Sequence, residues 1–305
     1  MRIAFAGTPE VAIPPLQALI DAGHEIVAVI TRPDAPSGRG RMLTSSPVAA
    51  FAEERGLPVL KPVKAADIEA ELREMHLDAI AVVAYGALIP AHMLDVARGG
   101  WINLHFSLLP AWRGAAPVQR AIIAGDAITG ACTFQIEAGL DTGPVFGTLT
   151  RSIAPDDTAG SLLSALSIDG AQLLAQTISA LDQLNAIPQS SEDISVAPKL
   201  DKDDARIRWS HPALAVDRLI RGCTPDPGAW TQVGDHRLGV MPVLLRPDVE
   251  DIAHGAVRLS GQTVLVGTGS HAVQLTQVKP AGKGWMDAAA WLRGIRESVE
   301  FVDAH

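Results

Sequence analysis

Apolar runs of strand length alternate with helical segments through the first half of the chain, and this alternation constrains the fold most. Candidate strands are RIAFAG (2–7), EIVAVI (25–30), PVL (58–60), AIAVVA (79–84) and WINLHF (101–106). Such nearly continuous hydrophobic runs are typical of parallel strands buried on both faces. The alternation therefore predicts an α/β domain with a Rossmann-like, doubly wound parallel sheet.

The pattern changes after residue 187. A further pair of strands (ACTFQIEAG and PVFGTLTRSI) and a long helix over 158–184 complete the first region, and a polar segment with two prolines follows. Beyond that segment, AWTQV, RLGVMPVLL, AVRLS, TVLVG and HAVQLTQV are short strand candidates separated by turns, which fits an OB-like β-barrel. We expect a first domain over 1–187, a linker over 188–205 and a second domain over 206–305.

Composition limits the cellular setting. The chain is 48% hydrophobic and 19% charged, which is ordinary for a globular protein. No run approaches the ~20 apolar residues that cross a bilayer, and the N-terminus lacks a signal-peptide core. The cysteines, Cys132 and Cys223, show no metal-ligand spacing and are typical of free thiols in a reducing compartment. We expect a cytoplasmic monomer without a metal.

Three polar residues are candidates for chemistry. On a strand over 101–106, Asn103 and His105 project to one face, near the carboxyl end where open α/β sheets bind ligands. Asp141 lies in a loop between two glycines. A hydrogen-bond donor, a titratable imidazole and a carboxylate suit attack of a nitrogen nucleophile on an acyl carbon, because an oxyanion must be stabilised and protons moved. The alternatives are a structural strand-end histidine and a turn-capping aspartate.

The segment WINLHFSLLPAWRGAAPVQRAI, followed by GLDTGP, resembles the formyltransferases that use 10-formyltetrahydrofolate. The resemblance covers nearly the whole chain. It implies that Asn103 hydrogen-bonds the formyl oxygen and stabilises the tetrahedral intermediate with assistance from His105. It also implies that Asp141 orients His105 and relays protons.

The resemblance further implies a folate site in two segments. Many members of the family have a small residue after the histidine, where this chain has Phe106. On a strand Phe106 points away from His105, so we expect it to pack in the core. The residues matching the family's folate-contacting positions are Ser107, Leu108, Leu109, Pro110, Tyr85, Gly86 and Leu88.

The segments FAGTPEVAIPPL, TRPDAPSGRGRMLTSSPVAAFA and KPAGKGWM resemble those of members that act on methionyl initiator tRNA, which is the partner we expect. The net charge of −9 requires a local basic patch for such a partner. Arginine forks in a glycine-containing loop match phosphates. The candidate tRNA-binding residues are Arg32, Arg39, Arg41, Met42, Lys202, Arg206 and Lys283.

Two other functions fit part of the sequence. A formyltransferase acting on a sugar nucleotide or on glycinamide ribonucleotide shares the N-x-H…D pattern, but the basic loop and the second domain count against it. A regulatory RNA-binding protein without catalysis shares the nucleotide-type fold, and it predicts that loss of Asn103 or His105 leaves function intact.

Overall fold

The computed structural model describes residues 1–37, 42–295, 299–301 and 303. The chain divides into two compact units, each of which is discontinuous in sequence. Unit 1 comprises Met1–Pro117, Ile128–Ser152 and Leu163–Ala197, and unit 2 comprises Val118–Ala127, Ile153–Leu162 and Pro198–His305. Two short segments that precede the predicted linker therefore pack with the C-terminal part of the chain. The predicted domain boundaries stay a prediction.

The strands of unit 1 form one large sheet and a separate hairpin. They are β1 (Arg2–Gly7), β2 (Glu25–Ile30), β3 (Ala35–Ser37), β4 (Met42–Thr44), β5 (Val59–Leu60), β6 (Ala79–Val83), β7 (Trp101–His105), β8 (Ile128–Gln135) and β9 (Val145–Ser152). The large sheet has the order β5-β2-β1-β6-β7-β8-β9. Strands β5 to β7 in this order run parallel, and β8 and β9 are antiparallel additions. The predicted α/β fold with a parallel sheet is confirmed.

The helices are shorter than the helical segments of the sequence. They are α1 (Ile13–Asp21), α2 (Pro47–Glu54), α3 (Glu69–Glu74), α4 (Pro117–Ala124), α5 (Ala159–Ser179), α6 (Ala213–Gly222) and α7 (Ala288–Arg293). Helix α2 begins where the loop after β4 ends, because the Ser46 hydroxyl accepts a hydrogen bond from the Ala49 N–H at 3.0 Å and Pro47 suits the first helical position. Within the described residues, no helix has the length and hydrophobicity to span a membrane.

Unit 2 contains the predicted C-terminal β domain. Its strands are β10 (Trp230–Val233), β11 (His236–Val240), β12 (Leu244–Arg246), β13 (Val257–Ser260), β14 (Thr263–Val266), β15 (Ala272–Leu275), β16 (Gln277–Pro280) and β17 (Met286–Asp287). They form two antiparallel sheets with the orders β10-β11-β16-β17 and β12-β15-β14-β13. The core between them includes Trp209, whose ring stacks on Phe301 at a centroid distance of 5.2 Å.

Two strands expected to be continuous are each broken in two. RLGVMPVLL divides into β11 and β12, and HAVQLTQV divides into β15 and β16, so that each half pairs in a different sheet. The breaks lie opposite each other. Pro242 lacks the N–H that a strand interior needs, and the Thr276 hydroxyl donates to the Pro242 carbonyl at 2.8 Å. Strands that change sheets at such a corner are a feature of closed β architectures.

Candidate active site

Strand β7 places Asn103 and His105 at the centre of the unit 1 sheet. The strand ends at His105, one residue earlier than predicted, and its neighbours Ile102 and Leu104 are buried. Register pairs His105 with Cys132 on β8. Burial raises the pKa of the Cys132 thiol to about 12, so this neighbour of the imidazole is a neutral thiol.

The His105 ring is fixed by the chain that follows β7. Its Nε2 lies 2.9 Å from the Trp112 carbonyl oxygen, and because a carbonyl only accepts, Nε2 carries the hydrogen. Trp112 has φ = +62°, a backbone region that bulky side chains rarely adopt. Its N–H donates to the Ser195 hydroxyl at 2.8 Å. This backbone conformation is thus held from both sides, and it directs the carbonyl at the imidazole.

Asp141 approaches the other nitrogen of His105. Its Oδ2 lies 3.9 Å from His105 Nδ1, too long for a direct hydrogen bond, and accepts the Gly114 N–H at 2.7 Å. Asp141 has φ = +50°. Gly114 must be glycine, since a Cβ there would lie 2.7 Å from the Ala197 carbonyl oxygen. Two groups therefore face the His105 ring: the Trp112 carbonyl accepts a hydrogen bond from Nε2, and Asp141 lies opposite Nδ1.

Burial governs the charge of the imidazole. His105 is only 6% exposed, and this desolvation lowers its pKa from the ordinary value of 6.5. The Asp141 carboxylate and the Trp112 carbonyl act in the opposite direction. At neutral pH His105 is therefore neutral, with a lone pair on Nδ1 that faces the carboxylate. A proton added to this lone pair would face the Asp141 carboxylate, whose Oδ2 lies 3.9 Å away.

Unlike His105 and Asp141, Asn103 forms no side-chain hydrogen bond to a described residue. Its side chain is half-buried on the same face of β7 as His105. The structure shows no hydrogen bond from this carboxamide to any described residue. A half-buried amide costs free energy unless it is hydrogen-bonded. Its N–H groups are therefore available to an acceptor on a bound molecule.

Gln189 is a residue of the site that the sequence gave no reason to select. It lies in the predicted linker, yet its Nε2 donates to the carbonyls of Asp141 and Gly143, both at 2.8 Å. Its Oε1 accepts from Nε and Nη2 of Arg113 at 3.1 and 2.7 Å. Gln189 thus joins the loop that carries Asp141 to the segment that holds His105. A lone glutamine in a polar stretch has no periodicity that would identify it.

The predicted folate residues lie in two different environments. Ser107 is fully buried, and its hydroxyl donates to the Ala111 carbonyl at 2.6 Å, so it closes the turn after β7. Tyr85 is also buried, and burial raises its pKa, while its hydroxyl forms no hydrogen bond to any residue that the structure describes. Leu88 is 88% exposed. Phe106 is 6% exposed, in keeping with the expected core packing. The folate contacts stay a prediction.

The candidate tRNA residues of unit 1 fall partly outside the described residues. Arg39 and Arg41 lie outside them. Met42, on β4, is 76% exposed, and its neighbour Leu43 is 72% exposed. Arg32 is half-buried and donates to the Val63 carbonyl at 2.9 Å. Strand β4 therefore presents apolar side chains to solvent.

Unit 2 carries a surface that we call the cationic face, made of Arg206, Arg237, Lys279, Trp230 and Trp285. Arg237 and Arg206 lie over the Trp230 ring, with guanidinium carbons 3.9 and 5.2 Å from its centroid. Lys279 lies 5.8 Å from the ring centroid of Trp285, which is 43% exposed. A carboxylate, Asp203, approaches Arg237 at 3.6 Å.

The other candidates of unit 2 lie at the margins of this face. The Lys202 carbonyl accepts a hydrogen bond from the Trp230 indole at 2.5 Å. The Lys283 N–H closes a turn onto the Pro280 carbonyl at 3.0 Å. Both side chains are exposed. Sequence reasoning selected Arg206, Lys202 and Lys283 here and missed the aromatic partners, because a tryptophan in an apolar strand is usually a core residue.

Comparison with known proteins identifies the family of the chain. Residues 1–178 match the formyl transferase family, and residues 199–296 match the formyl transferase C-terminal domain. The chain therefore belongs to the formyl transferase family and is a one-carbon group transferase. Its curated relatives include the methionyl-tRNA formyltransferase of Paenarthrobacter aurescens (strain TC1), which is 58% identical over 97% of both chains. The methionyl-tRNA formyltransferase of Arthrobacter sp. (strain FB24) is 60% identical over 96% of this chain and 97% of its own.

Solved structures share the fold at low sequence identity. An N-formyltransferase from Helicobacter canadensis, in complex with folinic acid and dTDP-3-aminofucose, has a TM-score of 0.70 at 15% identity, covering 92% of this chain and 100% of its own. HypX from Aquifex aeolicus in complex with tetrahydrofolic acid has a TM-score of 0.64 at 17% identity, covering all of this chain and 51% of its own. At these identities the likeness shows the fold alone.

Proposed function

We propose that this protein transfers the formyl group of 10-formyltetrahydrofolate to the α-amino group of methionyl initiator tRNA. The observation that carries the proposal is the free carboxamide of Asn103 beside the His105–Asp141 pair. A donor without a partner, a neutral imidazole and a carboxylate are the groups that acyl transfer to an amine requires. The names of the full-length relatives support methionyl-tRNA as the source of the amine. Two solved structures that share the fold contain folinic acid and tetrahydrofolic acid, which supports a folate as the formyl donor.

The chemistry begins with a neutral amine. An α-amine with a pKa near ~7.7 is readily deprotonated at cellular pH, so the enzyme's task is positioning and charge stabilisation. The amine nitrogen attacks the formyl carbon, a C–N bond forms, and the carbonyl electron pair moves to the oxygen. The Asn103 N–H groups donate to this oxyanion.

Proton transfers complete the reaction. The attacking nitrogen loses a proton to the Asp141 carboxylate, and the departing folate nitrogen gains one as its bond to the formyl carbon breaks. His105 Nδ1 lies 3.9 Å from Asp141 Oδ2, and the two groups exchange this proton through water. In its protonated form, His105 also stabilises the oxyanion. The products are a formyl amide and tetrahydrofolate, so atoms and charge balance.

The cationic face of unit 2 and the hairpin of unit 1 are the proposed surfaces for tRNA. Aromatic rings stack on bases and exposed cations contact phosphates. The Trp285 ring with Lys279 beside it offers both chemistries. The exposed Met42 and Leu43 offer apolar surface to an unstacked end of the RNA.

A single assay tests this function. Purified protein receives formyl-labelled folate and either methionyl initiator tRNA, methionyl elongator tRNA or an amino sugar nucleotide. We expect label on the methionyl group of the initiator tRNA and none on the sugar. Asn103→Ala serves as the matched inactive variant, and it must retain tRNA binding. Transfer to the sugar alone, or unchanged turnover by Asn103→Ala, would show the proposal to be wrong.

A further inference from the structure

Arg113 is a cation of unit 1 that no carboxylate of the described residues pairs with. Its Nε and Nη2 donate to the Gln189 oxygen, a neutral amide. Within the ranges that the structure describes, Arg113 forms no ion pair, whereas Arg98 and Arg151 in the same unit pair with Asp182 and Asp169. The Nη1 group of Arg113 has no hydrogen-bond partner there either. Arg113 is half-buried, and such a charge is costly without compensation.

The orientation of Gln189 is determined by its partners. A guanidinium only donates, so the oxygen of the amide must face Arg113, and two backbone carbonyls only accept, so the nitrogen must face Asp141 and Gly143. A glutamate at this position would neutralise Arg113 and could not donate to the two carbonyls. The glutamine therefore fixes the guanidinium while leaving its positive charge available.

The backbone of Arg113 is held as firmly as its side chain. Its N–H donates to the Ser195 carbonyl at 2.9 Å, and its carbonyl accepts the Ala197 N–H at 2.7 Å. The preceding residue, Trp112, holds His105. The guanidinium is thus fixed relative to both members of the catalytic pair, through Trp112 on one side and through Gln189 and the Asp141 loop on the other.

We propose that Arg113, positioned by Gln189, binds an anionic group of a substrate next to the catalytic pair. This inference rests on the proposed function. Two groups on its substrates have the required chemistry: the phosphodiester of the 3′-terminal nucleotide of the tRNA and the glutamate carboxylate of the folate. We choose the phosphodiester. In the proposed reaction Asp141 receives the proton of the amine, so the amine end of the tRNA lies at the Asp141 loop, and Gln189 joins Arg113 to that loop. Arginine forks bind such oxygens in pairs.

Minimal substrates test the assignment. Methionyl-adenosine carries the reacting amine without a phosphodiester, and the methionyl ester of the dinucleotide CpA adds a single one. For the wild type and Arg113→Gln, kcat/KM is measured with both esters and the KM of the folate is measured separately. We expect the preference for the dinucleotide ester to fall about 10- to 100-fold in the variant, the effect typical of one charge-assisted hydrogen-bond pair. The KM of the folate should stay the same.

Three further measurements keep the result decisive. Arg151→Gln removes the same charge from the same unit and should leave the preference unchanged, and thermal unfolding verifies that Arg113→Gln folds. The salt dependence of tRNA binding by Arg113→Gln should lose about one unit of slope. Equal losses on both esters would overturn the proposal. A raised KM for folate alone would assign the anion to the glutamate carboxylate and overturn the phosphodiester. If the wild type does not formylate charged tRNA, the proposed function itself fails.

Discussion

The His105–Asp141 pair in unit 1, proposed to be catalytic, and the cationic face in unit 2 hold their charged groups in opposite ways. His105 and Asp141 are largely buried, at 7% and 18% side-chain exposure, and backbone groups hold each of them. Arg237 and Lys279 are exposed and lie against aromatic rings. Burial strengthens electrostatic interactions because the local dielectric constant is low, whereas exposed charges are screened by salt.

The contrast predicts which kinetic constant each region controls. Groups fixed around a developing charge act in the transition state and determine kcat. The exposed cations of the proposed tRNA surface would contact the substrate equally before and during the reaction, so they should determine KM and the salt dependence. Substitutions of the His105–Asp141 pair or Asn103 should therefore lower kcat, whereas substitutions on the cationic face should raise the KM of tRNA.

The largest effect is expected for Asp141→Asn. The substitution removes the proton acceptor, so kcat should fall about 10²- to 10⁴-fold, as for the loss of general acid–base catalysis, with little change in the KM of tRNA. It also removes the carboxylate that raises the pKa of His105. NMR titration of the imidazole should therefore show a His105 pKa below that of the wild type, itself below 6.5.

The lowered pKa of His105 determines how the stability of the fold changes with pH. The unfolded chain protonates His105 at its ordinary pKa of 6.5, and the fold lowers that pKa. The stabilisation from a neutral His105 is therefore present above pH ~6.5 and is lost as the pH falls below it. A His105 pKa that rises in Asp141→Asn would contradict the assigned contacts.

Asn103→Ala is expected to have the next largest effect. Loss of one oxyanion donor typically lowers kcat by about 10²- to 10³-fold. Because this side chain has no hydrogen-bond partner among the described residues, its removal should leave the thermal midpoint nearly unchanged. Asn103→Asp is a matched control of the same size that replaces the donor with an acceptor. Equal activity of Asn103→Asp and the wild type would exclude the oxyanion role.

Sequence reasoning selected the side chains of the candidate site but not the groups that hold them. Alternation on a strand was sufficient to place Asn103 and His105 on one face, since a strand has a period of two. The groups that orient His105 and Asp141 are a backbone carbonyl at Trp112 and an amide at Gln189, and neither has a sequence signal. The fold shows a different limit: Pro242 is a visible signal against one continuous strand, but the hydrophobicity of RLGVMPVLL outweighed it in the prediction.

The smallest effect is expected on the cationic face. Arg237→Gln removes a cation that lies 3.9 Å from the centre of the Trp230 ring, and Asp203 already offsets part of its charge. We expect the KM of tRNA to rise a few-fold at low salt and the difference to shrink as salt increases, because a phosphate contact releases counterions. The kcat should not change. Arg258→Gln is the matched control, since Arg258 lies in the same unit and is paired bidentately with Asp251. If Arg237→Gln lowers kcat at saturating tRNA, the separation between a catalytic unit 1 and a binding unit 2 is wrong, and the face takes part in positioning the amine.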